Sequence, residues 1–244
     1  MMKKFDLTLF KNSNDLAVGA AAQWLEKIEL ARRENRPHHV ALSGGRIAKV
    51  FFQAVATSCQ TRGISLEPVH FFWADERCVP PESPESNFAL ANELLLDPLR
   101  VRLDHIHRIR GEEDPKSAAA LASEELQRVV RCKSSGLPVL DQIFLGMGED
   151  GHVASLFPDS RRSVSFPTVY TAVVACKPPP DRVTLTYDAL QAARQVCVMV
   201  SGSGKEEVLR HSLRPMHTTP LSKVIQCREH TEIMTDIYLR NQGG

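Results

Sequence analysis

Short apolar runs and amphipathic stretches alternate along this chain, and the alternation predicts its elements. Leu16, Ala20, Trp24, Ile28 and Ala31 recur at helical spacing and predict a helix over Leu16–Ala31. His39-Val-Ala-Leu42 reads as a strand that stops at Ser43-Gly-Gly, with a helix over Ile47–Cys59 behind it. The order then returns. A strand at Val69–Trp73 ends at Asp75-Glu-Arg77, and a helix over Asn87–Leu96 follows, capped by Ser86 or Asn87. A short strand is expected at Ile106–Arg108 and a helix over Lys116–Val130. Later strands are expected at Asp141–Leu145, Val169–Ala175, Arg182–Thr186 and Gln195–Val200, then a helix from Lys205 and a last strand over Glu232–Leu239. Strand, glycine loop and helix in repetition predict an α/β fold: an open, mostly parallel sheet with helices on both faces. Runs that are apolar throughout suit strands buried on both sides. No internal repeat is visible, and Lys177-Pro-Pro-Pro180 is too short a break to divide the chain, so a single domain over residues 1–244 is expected.

Composition narrows the partners. Thirty Lys and Arg against 29 Asp and Glu leave a net charge of +1, which gives no overall attraction to nucleic acid or to an anionic membrane. No run approaches the roughly 18–20 apolar residues of a membrane helix, and the apolar part of MMKKFDLTLF is too short for a signal peptide. The six cysteines are scattered without a CxxC pair, the pattern of reduced structural thiols in a cytoplasm. No sustained heptad forces association, so a monomer is expected.

Three glycine-bearing loops follow expected strands: Ser43-Gly44-Gly45, Gly146 to Gly151, and Gly202-Ser-Gly204-Lys205. A glycine-lined helix N-terminus offers backbone N–H groups to an anion. An ordinary strand-to-helix turn explains each loop singly; two such loops with Lys205 in one sheet favour a shared phosphate. Two motif fits fail. Gly204-Lys205 lacks the first P-loop glycine, since Met199 stands there, and Glu206 replaces the hydroxyl residue. Gly146-Met-Gly148-Glu-Asp-Gly151 matches GxGxxG by letter, but Pro158 closes the segment too early for a crossover helix, so no dinucleotide cofactor is expected. His105-Ile-His107 has no matching third ligand in the pattern, so no metal is expected.

His152 stands in a glycine-rich loop at the carboxyl end of a strand, where open α/β sheets bind ligands, and histidine is suited to proton transfer near neutral pH. Asp150 lies two residues before it and can orient the ring. Asp75 can hold a sugar hydroxyl or a proton, and Arg77 a phosphate; a solvated turn or an ion pair is the plainer account of both. Arg182, at the start of a strand, is a surface arginine or an anion ligand.

Five ordered motifs carry a resemblance: LSGG (Leu42–Gly45), WADERCVPPESPESN (Trp73–Asn87), LGMGEDGHVASLFPD (Leu145–Asp159), KPPPDRVTLT (Lys177–Thr186) and SGSGK (Ser201–Lys205). Their order and spacing resemble the 6-phosphogluconolactonases, within a larger group that includes the glucosamine-6-phosphate isomerase/deaminases. The resemblance implies a Rossmann-like three-layer fold and metal-independent hydrolysis of 6-phospho-D-glucono-1,5-lactone to 6-phosphogluconate in the pentose phosphate pathway. It implies His152 as general base with Asp150 behind it. Ser43, Gly44, Gly45, Arg182 and Lys205 would hold the phosphate, with Asp75, Arg77 and Gly148 also at the substrate. Deaminases resemble DGHIAFNEP after the histidine, whereas Ala154-Ser-Leu-Phe-Pro158 stands here. A deaminase-like enzyme and a non-catalytic sugar-phosphate-binding regulator are the alternatives. The first loop of the family usually reads SGGSTP; here Arg46 replaces the hydroxyl residue.

Overall fold

A computed structural model describes residues 4–158, 168–214 and 217–239. Asp159, the last residue of the longest glycine motif, lies outside them. Six strands form one parallel sheet: β1 (Phe5–Leu9), β2 (His38–Leu42), β3 (Val69–Trp73), β5 (Gln142–Gly146), β8 (Gln195–Val200) and β9 (Thr231–Thr235). Their order is β1-β9-β8-β5-β2-β3. A second, antiparallel sheet of three strands runs β4 (Asp75–Arg77), β7 (Asp181–Leu185), β6 (Tyr170–Val174). Ala74 joins the two sheets. Its N–H donates to Leu42 O at the end of β2, and its carbonyl accepts from Leu185 of β7, both at 2.7 Å.

Helices cover both faces of the large sheet. α1 (Ser13–Arg33) starts at Asn12, whose side chain accepts from the Asp15 N–H, and ends in two arginines that complement the helix dipole. Its Trp24 is buried against Phe144 of β5, Phe71 of β3 and Phe51 of α2 (Arg46–Arg62), with ring centroids 5.3, 6.3 and 5.8 Å away. Trp24 also donates to the buried His38 at 3.0 Å. On the opposite face Phe72 stacks on His107, which bonds Glu125 of α4 (Pro115–Val129) at 2.7 Å. The core is one contiguous apolar cluster through these layers. Among the described residues no helix is long and apolar enough to cross a membrane.

Several local expectations are corrected. Asp75-Glu-Arg77 is not a turn but strand β4, paired with β7 in the register Asp75↔Thr184, Arg77↔Arg182. Ile106–Arg108 does not form a strand. After a 3₁₀ turn the segment makes one bridge, Ile106 to Phe71; His107 donates its N–H to Phe71 O at 2.8 Å and stacks on Phe72, and no further ladder forms. The helix from Asn87 is α-helical only to Ala91 (α3) and widens into a π turn over Asn92–Leu96. The helix expected from Lys205 begins at Glu206 (α6, Glu206–Ser212) after a 3₁₀ turn at Ser203–Lys205. The last strand ends at Thr235 because Asp236 turns back to accept from Ser201 Oγ at 2.7 Å.

Three elements lie outside what the hydrophobic pattern predicts: β1, α5 (Tyr187–Ala192) and α7 (Pro220–Cys227). Thr186 and Thr219 cap the two helices. Arg228, just past α7, is 5% exposed. Its guanidinium donates to the carbonyls of Leu190, Ala193, Arg194 and His230, tying the end of α5 to the start of β9.

Candidate active site

The carboxyl ends of β2, β5 and β8 and the small sheet enclose a cleft of about 340 Å³. Ser43, Gly44, Gly45, Asp75, Arg77, Gly148, His152, Arg182 and Lys205 all line it. Asp150 stands behind His152. The motifs separated along the chain therefore converge on one place.

The His152 loop is built around two contacts. Asp150 Oδ1 accepts from the His152 backbone N–H at 3.2 Å and lies 2.5 Å from ring Nδ1. An ionised carboxylate only accepts, so Nδ1 is the ring nitrogen that carries a proton, and in the tautomer this fixes, the lone pair lies on Nε2. Burial works against the Asp150 charge, but the His152 hydrogen bonds outweigh it and hold the carboxyl below its ordinary pKa. Phe157 packs on the ring at 4.9 Å between centroids. Gly148 leaves the room the ring occupies: a Cβ there would lie 2.1 Å from both Nδ1 and Cε1 of His152.

Strand alternation explains the Asp-Glu-Arg cluster. Asp75 and Arg77 point to the cleft, and Glu76 points away. The buried Glu76 carboxylate takes the N–H groups of Arg77, Asn87 and Phe88 at 2.7 Å each and the Ser86 hydroxyl at 3.0 Å, so it plugs the start of α3. Asp75 accepts from Ser155 Oγ at 2.7 Å, and its backbone carbonyl accepts from Asn87 Nδ2 at 2.8 Å. Ser13, Asn87 and Arg46 also line the cleft, and Ser155 supports it from beneath. Ser13, Asn87 and Ser155 carry no sequence signal for this role.

Cations dominate the walls. Arg182 is 8% exposed, and its Nε donates to Pro179 O at 2.8 Å. Burial, and then the Arg77 charge opposite it on β4, push its pKa down. Arg77 is held by Glu85, yet its buried Nε has no partner. Burial and then Arg46 lower the pKa of Lys205. The buried Ser43 hydroxyl has no partner either. Against four cations the cleft lining holds one carboxylate, Asp75. The arrangement suits an anionic ligand next to a histidine poised to accept a proton. Among the described residues no group of three or more His, Cys, Asp or Glu is placed to hold a metal.

The sequence pattern described as "Glucosamine-6-phosphate isomerases/6-phosphogluconolactonase" matches residues 11–234. The chain belongs to this family. Among family members, the 6-phosphogluconolactonase of Haemophilus influenzae is 37% identical over 188 residues, covering 76% of each chain. That of Treponema pallidum is 34% identical over 211 residues, covering 83% of this chain and 85% of its own. The crystal structure of devB protein superposes with a TM-score of 0.86 at 30% identity, covering 95% of this chain and 96% of that one. The large parallel sheet with flanking helices is thus the family's fold.

Proposed function

We propose that this protein hydrolyses 6-phospho-D-glucono-1,5-lactone to 6-phosphogluconate, the lactone-opening step of the pentose phosphate pathway. The observation that carries the reading is the Asp150–His152 pair at the edge of a cleft lined by four cations and a single carboxylate. Family membership and the names of the relatives support it. Neutral His152 takes a proton at Nε2 from water as the water oxygen bonds to C1. The C1=O π pair moves onto oxygen, where glycine-loop N–H groups and the cleft's positive field meet it. The C1–O5 bond then breaks as the C1 oxyanion re-forms its carbonyl. O5 leaves with the proton that His152 had taken, and C1 becomes a carboxylic acid that ionises in water. Asp150 fixes the ring and stabilises the transient imidazolium.

Arg182 and Lys205, with Ser43, Gly44 and Gly45, hold the phosphate, which supplies orientation remote from C1. Arg77 and Asp75 complete the substrate contacts, and Gly148 gives the imidazole its place. The stretch from Val153 to Pro158 contains no acid for opening a sugar ring; its Ser155 is spent on Asp75. The protein works in the cytoplasm, a reading supported by six free cysteines among the described residues, and as a monomer, since no sustained heptad forces association.

The test is a coupled assay. Glucose-6-phosphate dehydrogenase makes the lactone, 6-phosphogluconate dehydrogenase reports its opening, and this protein or its His152→Ala variant is added last. The wild type should accelerate product formation, and the variant should lose roughly 10²–10⁴-fold in kcat. Equal rates with and without the wild type would refute the activity; an unimpaired variant would refute the base.

A further inference from the structure

Arg46 stands where a cation is least at home. It is the first residue of α2, at the positive end of a 17-residue helix whose first turn contains no acid. The preceding Gly45 adopts a left-handed φ of 97° and supplies no side-chain cap, so the first amides of α2 have no side-chain acceptor. Arg46 is exposed on the cleft wall, and among the described residues it forms no ion pair. Lys205 lines the same cleft, and the two like charges repel: Arg46 is, after burial, the next cause of the lowered Lys205 pKa. The hydroxyl of Ser43, more than nine-tenths buried, lines the cleft with no partner. Two cations, a helix N-terminus and a partnerless hydroxyl thus face one cleft, and a single dianion can bond to all of them.

We infer that Arg46 is a specificity residue for the substrate's phosphate, closing on it together with Lys205, the Ser43 hydroxyl and the first amides of α2. This deepens the proposed reading and rests on it for the identity of the sugar. Where the resemblance leads one to expect a serine or threonine hydroxyl after the glycines, this chain offers a charged fork. A charge-assisted, two-pronged contact is stronger than a neutral hydroxyl bond, so binding here selects the phosphate dianion.

The experiment is calorimetric titration of the full chain with 6-phosphogluconate, gluconate and inorganic phosphate, alongside lactone kinetics. Wild type, Arg46→Ser, Arg46→Lys and Arg62→Ser, a control at the far end of α2, are compared. Arg46→Ser should weaken 6-phosphogluconate binding roughly 10–100-fold and raise KM for the lactone by a similar factor. Arg46→Lys should recover part of the loss, Arg62→Ser should match wild type, and gluconate should bind all four alike. Unliganded Arg46→Ser should melt no lower than wild type, because no structural contact is lost, while its melting shift with ligand should shrink. Unchanged 6-phosphogluconate binding in Arg46→Ser, an equal loss for gluconate, or a lower unliganded melting point would overturn the inference. So would a wild type that binds neither phosphate nor 6-phosphogluconate. If wild type opens no lactone yet its 6-phosphogluconate binding depends on Arg46, the proposed activity falls and this inference stands. Lactone opening with an unchanged KM in Arg46→Ser overturns this inference and leaves the proposed activity standing.

Discussion

Replacing Gly148 by alanine isolates the geometry of the catalytic pair without removing any chemical group. The new methyl would sit 2.1 Å from two ring atoms of His152 and 2.8 Å from Asp150 Oδ1, where ordinary carbon contacts begin near 3.4 Å. One partner must therefore retreat by more than 1 Å. The His152 side chain is 30% exposed and Asp150 50%, so the ring swings toward solvent at little cost in packing. Stability should fall by no more than about 1–2 kcal/mol. A misplacement of that size costs about 10²-fold when it separates a catalytic group from its reacting atom. The expectation is a kcat near one hundredth of wild type, with KM almost unchanged because the phosphate contacts are elsewhere. Steady-state kinetics in the coupled assay measures it, with a thermal melt to confirm folding. The decisive control is a double-mutant cycle: in a His152→Ala background Gly148→Ala should do almost nothing, since the group it displaces is gone. Wild-type kcat in Gly148→Ala, or a further hundredfold loss in the double variant, would refute the steric argument.

Asp150→Asn keeps the shape of the loop but removes the charge that fixes the ring proton on Nδ1; because the carboxylate is half exposed, kcat should fall about 10–10²-fold, read in the same assay. Arg228→Ala leaves buried carbonyls at the end of α5 without donors, and calorimetry should show a loss of about 3 kcal/mol with little change in KM. Burial is the main cause that holds His38 and His70 at about 4, below the ordinary 6.5. The unfolded chain binds protons that the folded one refuses between these values, so stability is full above about pH 6.5 and declines as pH falls toward 4. Urea midpoints across that range should trace the decline, and His38→Gln should remove up to about 1.4 kcal/mol per pH unit of the slope; an unaltered slope would exclude His38 as a source.

The sequence makes plain what is encoded locally. β2, β5 and β8 are mostly apolar runs that lead into glycine loops, and Gly148, Asp150 and His152 lie within five residues of one another, so strand, loop and chemistry appear together. What escapes reading is encoded at a distance or in too few residues. β1 sits at the sheet's edge with Asp6 and Thr8 in its middle and Leu7 and Leu9 partly exposed, which hides its period. β4 is three charged residues, and its pairing with β7 lies about a hundred positions away. α5 and α7, at six and eight residues, are too short for a helical period to show. Ser155 meets Asp75 across 80 positions, and nothing near either residue announces the bond.

Ala74 gives the cleft a mechanical character. Its two hydrogen bonds are where the large sheet, carrying the glycine loops and His152, is stitched to the small one, carrying Arg77 and Arg182. The cleft is thus a seam between two sheets, and a ligand that touches both walls acts as a second stitch across it. Opening of the seam exposes the Leu185 amide, and a bound anion should slow its exchange with solvent deuterium. Occupancy then has a readout at a backbone position that touches no substrate, one that persists when His152 is removed and chemistry is silent.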